Sequence, residues 1–196
     1  MKAILLASSS TYRRELLGKL RLPFTWASPD IDETPLHLES PQQLVERLAL
    51  LKAKKLAQTH PNTLIISSDQ VAVLDNTIIG KPHEHERAVE QLRQSSGRSV
   101  TFKTSLCLLN TSTNTHQMRT ESVEVHFRPL TDAQINHYLT LEQPFDCAGS
   151  FKCEGLGIAL FEKISTNDPN TLIGLPLIKL TEMLKEEGID PLLHAC

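Results

Sequence analysis

The chain has 196 residues, of which 40% are hydrophobic and 22% charged, values that are ordinary for a globular protein of one domain or two small lobes. Its formal net charge of −3 argues against a general nucleic-acid binder, because such domains usually carry a basic excess. The longest apolar runs fall well short of the roughly 20 residues that span a bilayer. The apolar start ends at Ala7, too early for a secretory signal, so we expect a cytoplasmic protein with no membrane partner.

The first stretch predicts a buried strand, a loop of small residues and an amphipathic helix. Residues 3–7 are apolar, Ser8–Ser10 follow, and leucines then recur at helical spacing. The unpaired N–H groups at the start of such a helix form a phosphate pocket. Arg13 and Arg14 stand in its first turn, where cations oppose the helix dipole. This broken rule favours an anion site, for a phosphate ester, over the alternative of two solvated arginines after an N-cap.

A second strand is predicted at 24–28, and the loop after it carries Asp30, Asp32 and Glu33. Three acids in four positions either form a solvated loop or hold a hard divalent cation, which prefers oxygen ligands. Ser40 and Pro41 then start a helix that should run to about 59.

Lys52 lies between Leu48 and Leu56 in the apolar row of this helix. A lysine in such a row either extends to the surface or reaches into a cleft.

The stretch 64–74 predicts strands that flank a polar interruption, Ser67–Gln70. A carboxylate in an apolar strand region is costly to bury unless it is paired or bound to a metal. Asp69 is therefore the best single candidate for a catalytic group. Its alternative role is a turn residue that caps a β-bulge.

A turn at Asp75–Asn76 and a short strand lead to Gly80–Pro82. Gly80 permits a close backbone approach, and Pro82 is expected to open the next helix, which should end near Gly97. Lys81, held between them, is placed to meet a phosphate.

The second half of the chain predicts a long antiparallel hairpin over 100–127, a helix that starts with the capping box Thr131–Gln134, and a glycine-containing loop over 146–157. This loop lacks the glycine order of a dinucleotide site. A strand at 158–164 and a leucine-rich helix that stops at Gly188 complete the chain. The four cysteines show no C-x-x-C spacing and are expected to be free thiols: Cys107, Cys147, Cys153 and Cys196.

Several short motifs in this order resemble those of the Maf family of nucleotide pyrophosphatases along nearly the whole chain. The matching pieces are Ala7–Ser10 with Arg13, Arg14, Leu16 and Leu17, Asp30–Glu33, the Lys52 helix, Ser68–Gln70, Gly80–Pro82, Ala148–Phe151 and Gly174–Leu177. Within the family, Ser68–Gln70 and Phe151–Gly157 look like the YceF-type branch. Its members are similar to 7-methyl-GTP pyrophosphatases, whereas the sister branch is associated with dTTP and UTP.

The resemblance implies an α/β fold of the Maf and ITPase type, with an elongated mixed β-sheet flanked by helices and two lobes with a central cleft. It implies that residues 1–196 are a single Maf-type domain that uses a divalent metal cation, Mg²⁺ or Mn²⁺, and pairs as a homodimer. The implied activity is the removal of modified nucleotides by hydrolysis of 7-methyl-GTP to 7-methyl-GMP and pyrophosphate.

The resemblance also assigns roles. Asp69 takes the position of the general base, and three residues are tied to substrate choice: Tyr12, Gln70 and Glu154. The phosphates would be bound by three cations, Arg13, Lys52 and Lys81, together with Ser8 and the other amides of its loop, Ser8–Ser10. Glu33 and Asp69 would hold the metal, and whether Asp69 accepts a proton or ligates the metal stays open. Glu154 either complements the positive charge of 7-methylguanine or caps its own loop.

Two further functions remain as alternatives. One is a non-catalytic nucleotide-binding protein that influences cell division, and the other is a pyrophosphatase for another nucleotide such as dTTP or UTP. The paired carboxylates favour an enzyme, because a binding module needs cations for phosphates and has less need of acids. A thiol-dependent enzyme at Cys147 or Cys153 has little support, since neither has an activating histidine nearby in sequence.

Overall fold

A computed structural model describes residues 2–195. The strands are β1 (Ala3–Ala7), β2 (Thr25–Ala27), β3 (Thr63–Leu74), β4 (Thr77–Ile79), β5 (Ser99–Asn110), β6 (Thr115–Phe127) and β7 (Phe161–Ser165). The helices are α1 (Thr11–Gly18), α2 (Pro41–Ala57), α3 (His85–Ser95), α4 (Asp132–Glu142), α5 (Leu177–Glu186) and α6 (Pro191–His194). Short 3₁₀ helices lie at Ala148–Ser150 and Leu156–Leu160.

The strands form one mixed sheet of seven strands. Its order is β2-β1-β3-β5-β6-β7, and β4 pairs with β3 outside this path. Strand β1 is parallel to β2 and β3, whereas the β3–β4 and β6–β7 pairs are antiparallel. The α/β class and the mixed sheet with helices are confirmed.

The described chain divides into two compact units. The first contains the residues up to Asp69, Thr104–Glu121 and the residues from Asp168 onward. The second contains Gln70–Lys103 and Ser122–Asn167.

The core of the first unit lies on both faces of β1 and β3. Ile4 and Leu6 pack with leucines of α1 and α5, whereas Leu5 and Ala7 pack with Ala49 and other apolar residues of α2. This alternation follows from the pleat, which turns successive side chains to opposite faces. Strands of a parallel sheet that is covered on both faces are therefore almost wholly apolar.

Four phenylalanines fill the core of the second unit: Phe102, Phe127, Phe151 and Phe161. Their rings meet edge to face, with centroid separations between 4.7 and 5.8 Å. This is a favoured arrangement of aromatic rings. Gly149 has a φ of +75°, and a Cβ there would lie 3.1 Å from Phe102, so the glycine permits the close approach of this turn.

Three expectations about element boundaries are wrong. Strand β3 runs without a break through the polar residues that were expected to interrupt it. Helix α3 begins at His85, not at Pro82, because His83 adopts a left-handed φ of 62°. The last strand begins at Phe161, because the preceding residues form a 3₁₀ helix.

The two capping boxes are confirmed. Ser40 accepts a hydrogen bond from the Gln43 N–H, and the Gln43 side chain accepts one from the Ser40 N–H. Thr131 and Gln134 do the same at the start of α4.

Two further expectations concern the cysteines and the membrane. Cys107, Cys147 and Cys153 have free thiols, as predicted, and Cys196 lies outside the described residues. Within residues 2–195, no helix combines the length and the apolar character that crossing a bilayer requires.

The capping box of α2 gives a first prediction. Replacing Ser40 by Ala removes the acceptor of the Gln43 N–H, so we expect the free energy of unfolding to fall by about 1 kcal/mol. Urea denaturation measures the loss. Ser40→Gly is the matched control and should cost only a few tenths of a kcal/mol, because glycine leaves the helix terminus open to water. An alanine variant as stable as the wild type would contradict the role of the cap.

Candidate active site

Asp69 lies in the buried middle of β3, directly after two serines that also have partners in the first unit. The Ser67 hydroxyl donates to the Ala49 carbonyl at 2.6 Å, and the Ser68 hydroxyl donates to the Gly174 carbonyl at 2.8 Å. Buried hydroxyls with such partners do not need to leave the strand to reach water. The alternative role of Asp69 as a turn residue at a bulge is therefore wrong.

Lys52 joins the two acids that the sequence analysis singled out. Its Nζ lies 2.5 Å from Asp69 Oδ1 and 2.8 Å from Glu33 Oε1. The side chains of Lys52 and Asp69 are 8% and 9% exposed, whereas that of Glu33 is 55% exposed. Lys52 therefore does not extend to the surface: its side chain reaches from α2 to an acidic pair, and the cleft expected there stays a prediction.

The pKa of Asp69 is raised above the ordinary value of an aspartate. Burial is the main cause, and the nearby Glu33 carboxylate adds to it. The positive charges of Lys52 and Arg13 act in the opposite direction. A carboxylate with a raised pKa binds a proton more readily, which suits a proton acceptor.

Arg13 is held by the backbone of the segment that precedes α5. Its Nε donates to the Gly174 carbonyl at 2.9 Å, the same oxygen that accepts from Ser68. Gly174 has a φ of +115°, and a Cβ there would lie 3.2 Å from Arg13 Nε. Burial lowers the pKa of Arg13, and the charges of Asp69 and Glu33 raise it, so all three groups share one electrostatic environment.

Arg14, which the alternative interpretation left as a solvated arginine, has an aromatic partner. Its guanidinium carbon lies 4.1 Å from the ring centroid of Trp26, a cation–π contact with β2. The two neighbouring arginines of α1 thus have different partners, Gly174 and Trp26.

The serine loop before α1 is largely bonded within itself. The Ser8 N–H donates to the Leu6 carbonyl at 3.1 Å, and the buried Ser8 hydroxyl accepts from the Ser10 N–H at 3.1 Å. The Ser10 hydroxyl caps α1 by accepting from the Arg13 N–H. Two of the amides expected to cradle a phosphate therefore already have acceptors inside the loop. The phosphate-binding role of Ser8 stays a prediction.

The acidic loop after β2 divides its three carboxylates. Asp32 accepts from the Thr34 N–H at 2.9 Å, which is a local turn, and Asp30 is exposed. Glu33 is the member that reaches Lys52.

In the second unit, the segment that carries Lys81 is held on both sides. The Gly80 carbonyl accepts from the Gln91 side chain at 3.0 Å, and the His83 N–H donates to the Phe145 carbonyl at 3.0 Å. Lys81 itself is exposed, and its phosphate-binding role stays a prediction.

Gln91 holds this segment and was not predicted from the sequence. It is buried in α3 and also accepts a hydrogen bond from the Ser150 hydroxyl. The available signal was a glutamine beside Ala88 and Leu92 on the apolar face of the helix.

The three residues tied to substrate choice occupy different elements. Tyr12 is half-buried on α1, Gln70 directly follows Asp69 in β3, and Glu154 is exposed in the loop between the 3₁₀ helices. The Cys153 thiol donates to Glu154 at 3.4 Å. Their roles in specificity stay predictions.

The thiols of the second unit are poor nucleophiles. Burial raises the pKa of Cys153 to about 12, and it also raises the pKa of Cys147. Since the thiolate is the reactive form, a thiol-dependent mechanism is disfavoured.

The acidic pair offers oxygen donors of the kind that a divalent cation prefers. Oxygens of Glu33 and Asp69 both lie within 2.8 Å of the same nitrogen, Lys52 Nζ. Within residues 2–195, no group of three or more His, Cys, Asp or Glu side chains is placed to hold a metal. Mg²⁺ in nucleotide enzymes is typically bound by one or two carboxylates together with substrate phosphates, so this donor set fits.

A sequence model described as "Maf-like protein" matches residues 3–187 of the chain. The chain belongs to the Maf family. The proteins named 7-methyl-GTP pyrophosphatase in Pseudomonas savastanoi pv. phaseolicola and Pseudomonas aeruginosa are 58% and 54% identical to it, and each alignment covers 97% of this chain and 99% of the relative. A protein of the same name in Nitrosococcus oceani is 55% identical, over 94% of this chain and 93% of the relative.

Solved structures of low sequence identity share the fold. The HAM1 protein of Coxiella burnetii and the Ham1 protein of Staphylococcus aureus each superpose with a TM-score of 0.55. Each match covers 95% of this chain and 100% of the other, at 16% identity. The predicted resemblance to the Maf family and the fold class are therefore confirmed.

The buried ion pair between Lys52 and Asp69 predicts that a variant without the lysine is less stable and that the loss depends on pH. Replacing Lys52 by Met leaves the Asp69 carboxylate buried without its cation, which should lower the free energy of unfolding by about 3–5 kcal/mol at neutral pH. The pKa of Asp69 already lies above its unfolded value and rises further without Lys52. The loss is therefore full above that pKa and disappears at low pH, where the carboxyl is protonated in both states.

Urea denaturation in EDTA between pH 3 and 8 measures this loss. Lys55→Met is the matched control, since Lys55 is an exposed lysine of the same helix and its replacement should change little. A loss that does not change with pH would argue against a buried, unpaired carboxylate.

Proposed function

We propose that this Maf protein hydrolyses 7-methyl-GTP to 7-methyl-GMP and pyrophosphate. One observation carries the proposed chemistry: a buried carboxylate with a raised pKa, Asp69, shares its surroundings with the cations Lys52 and Arg13. The proposed substrate is supported by the names of relatives that are 54% to 58% identical over nearly the whole chain.

In the proposed reaction, a water molecule attacks the α-phosphorus and pyrophosphate leaves with the electrons of the broken P–O bond. Asp69 accepts the proton of the attacking water. Arg13 is suited to the leaving group because its Nε is bonded to Gly174, so the terminal nitrogens of the same fork extend from a fixed position. Lys52 supplies a second positive charge at Asp69. We assign phosphate binding to Lys81 and Ser8 as well.

We further propose that Glu33 and Asp69 hold a divalent cation, Mg²⁺ or Mn²⁺. Such an ion, when bound, neutralises phosphate charge and lowers the pKa of a water ligand. The chain's own part is to present two carboxylates, one buried and one largely exposed, beside the same ammonium group of Lys52.

The proposal also covers the location, the domain organisation and the oligomeric state of the protein. We propose a cytoplasmic location, since free thiols are typical of reducing compartments. We treat the whole chain as a single Maf-type domain, because β3 and β5 each contribute residues to both units. A homodimer remains an expectation from the family resemblance.

A pyrophosphate-release assay over 7-methyl-GTP, GTP, dTTP and UTP tests the function, with Mg²⁺, Mn²⁺ or EDTA. We expect the highest kcat/KM on 7-methyl-GTP, with turnover that requires a divalent cation. Preference for dTTP or UTP would support the alternative pyrophosphatase. Tight nucleotide binding without turnover would support the non-catalytic regulator.

The role of Asp69 is tested by Asp69→Asn, which keeps the size and an oxygen toward Lys52 but cannot accept a proton. We expect kcat to fall by about a hundredfold to ten-thousandfold, the usual contribution of a general base, while the far-ultraviolet circular dichroism spectrum stays that of the wild type. Asp75→Asn is the control, because Asp75 is exposed in the β3–β4 turn and asparagine tolerates its φ of 48°. Full activity in a folded Asp69→Asn protein would remove Asp69 from the mechanism.

The role of Glu154 is tested by its charge. The 7-methylguanine ring carries a formal positive charge that guanine lacks, and a carboxylate about 4 Å away in water attracts it by about 1 kcal/mol. We therefore expect Glu154→Gln to lower kcat/KM on 7-methyl-GTP by about fivefold and to leave kcat/KM on GTP unchanged. Equal losses on both nucleotides would show that charge matching is wrong. Glu162→Gln, at an exposed position of β7, is the control.

A further inference from the structure

Glu154 stands in a tight loop, residues 152–157, which we call the Glu154 loop. It closes on itself through a hydrogen bond from the Gly155 N–H to the Lys152 carbonyl at 3.3 Å. A Cβ at Gly157 would lie 2.2 Å from that same carbonyl oxygen, so only glycine allows the closure. The loop is therefore compact through its own internal contacts, independently of other elements.

The end of α4 holds the Glu154 loop at both of its ends. At the start of the loop, the Lys152 N–H donates to the hydroxyl of the buried Tyr138 at 3.0 Å, and Lys152 Nζ donates to the Glu142 carbonyl at 2.6 Å. Near its end, the Leu156 N–H donates to Glu142 Oε1 at 2.6 Å. Glu142 thus bonds to residues on either side of Glu154, once through its backbone and once through its carboxylate.

The Glu142 carboxylate also lies directly on the backbone of the loop. A Cβ added at Gly155 would be 2.6 Å from Glu142 Oε1 and 3.0 Å from Oε2. Real Cβ atoms do not approach that closely, so Gly155 leaves the room that the carboxylate fills. Gly155 and Glu142 therefore form a matched pair beside Glu154, and a shift of one has to move the other.

We propose that Glu142 is a positioning residue that fixes the Glu154 loop and thereby the selection of 7-methyl-GTP over GTP. This inference rests on the proposed function. The attraction between two charges falls with distance, and ordering a mobile loop costs backbone conformational entropy when the base binds. A loop held at both ends spares that backbone cost, so a carboxylate on a held loop discriminates better than one on a mobile loop.

Two variants separate positioning from charge. Glu142→Gln keeps an oxygen that accepts from the Leu156 N–H but removes the negative charge, whereas Glu142→Ala removes the acceptor. The exposed position of Leu156 lets water replace the lost partner, so the alanine variant should fold. Glu162→Ala is the control: it removes an exposed glutamate of the same unit that lies outside the loop.

The first readout is the ratio of kcat/KM on 7-methyl-GTP to kcat/KM on GTP. We expect Glu142→Ala to lower this ratio by up to about fivefold, which is the most that can be lost when Glu142 acts only through the charge of Glu154, and Glu142→Gln to restore most of it. The control should keep the wild-type ratio. The second readout is hydrogen exchange at the Leu156 amide, which should accelerate in Glu142→Ala and stay slow in Glu142→Gln.

Three results would overturn the inference. If exchange accelerates in Glu142→Ala while the ratio is unchanged, the loop position does not serve selection. If Glu142→Gln loses as much selectivity as Glu142→Ala, the charge of Glu142 acts and its hydrogen bond does not. Wild-type protein that turns over 7-methyl-GTP no faster than GTP would defeat the proposed function as well. If the wild type is selective and Glu142→Ala keeps the same selectivity, only this inference fails and the proposed function stands.

Discussion

The burial of a negative charge inside β3 is the constraint on which the rest of the first unit depends. A carboxylate at this depth is tolerated only with a cation and hydrogen bonds beside it, and Lys52 of α2 supplies the cation. Helix α2 must therefore present a lysine from its core face at that point. The loop after β2 must bring Glu33 to the same ammonium group, and the polar residues of β3 must find acceptors in neighbouring backbone.

Much of the fold could be predicted because its signals are local. Side-chain caps fixed the starts of α2 and α4, and two left-handed residues at Asp75 and Asn76 are typical of the tight turn that joins β3 to β4. The errors arose where distant contacts override local preference. Ser67 and Ser68 look like a break in a strand until the carbonyls of Ala49 and Gly174 are known to lie opposite them. The short helix α6 was missed, since four residues carry too little periodicity.

The candidate site was predictable where a charged residue interrupts an apolar pattern in the sequence. Asp69, Lys52 and Glu33 were singled out separately, and the structure brings them together. Their functional roles, and those of Arg13 and Ser8, stay predictions. The groups that hold these side chains in place were not predictable. The Gly174 carbonyl that accepts from Arg13, and the Glu142 carboxylate that accepts from the Leu156 amide, cannot be recognised from a pattern of residue types.

The Gly174 carbonyl has one more consequence. It accepts from both Arg13 and Ser68, and every amino acid carries such an oxygen, so no point mutation deletes the acceptor itself. The arrangement is vulnerable instead through the torsion angle, because a φ of +115° excludes side chains with a Cβ. Substitutions in the segment around Gly174 therefore leave the acceptor in place, whereas a substitution at Gly174 itself would change the backbone torsion and move the carbonyl away from Arg13 and Ser68.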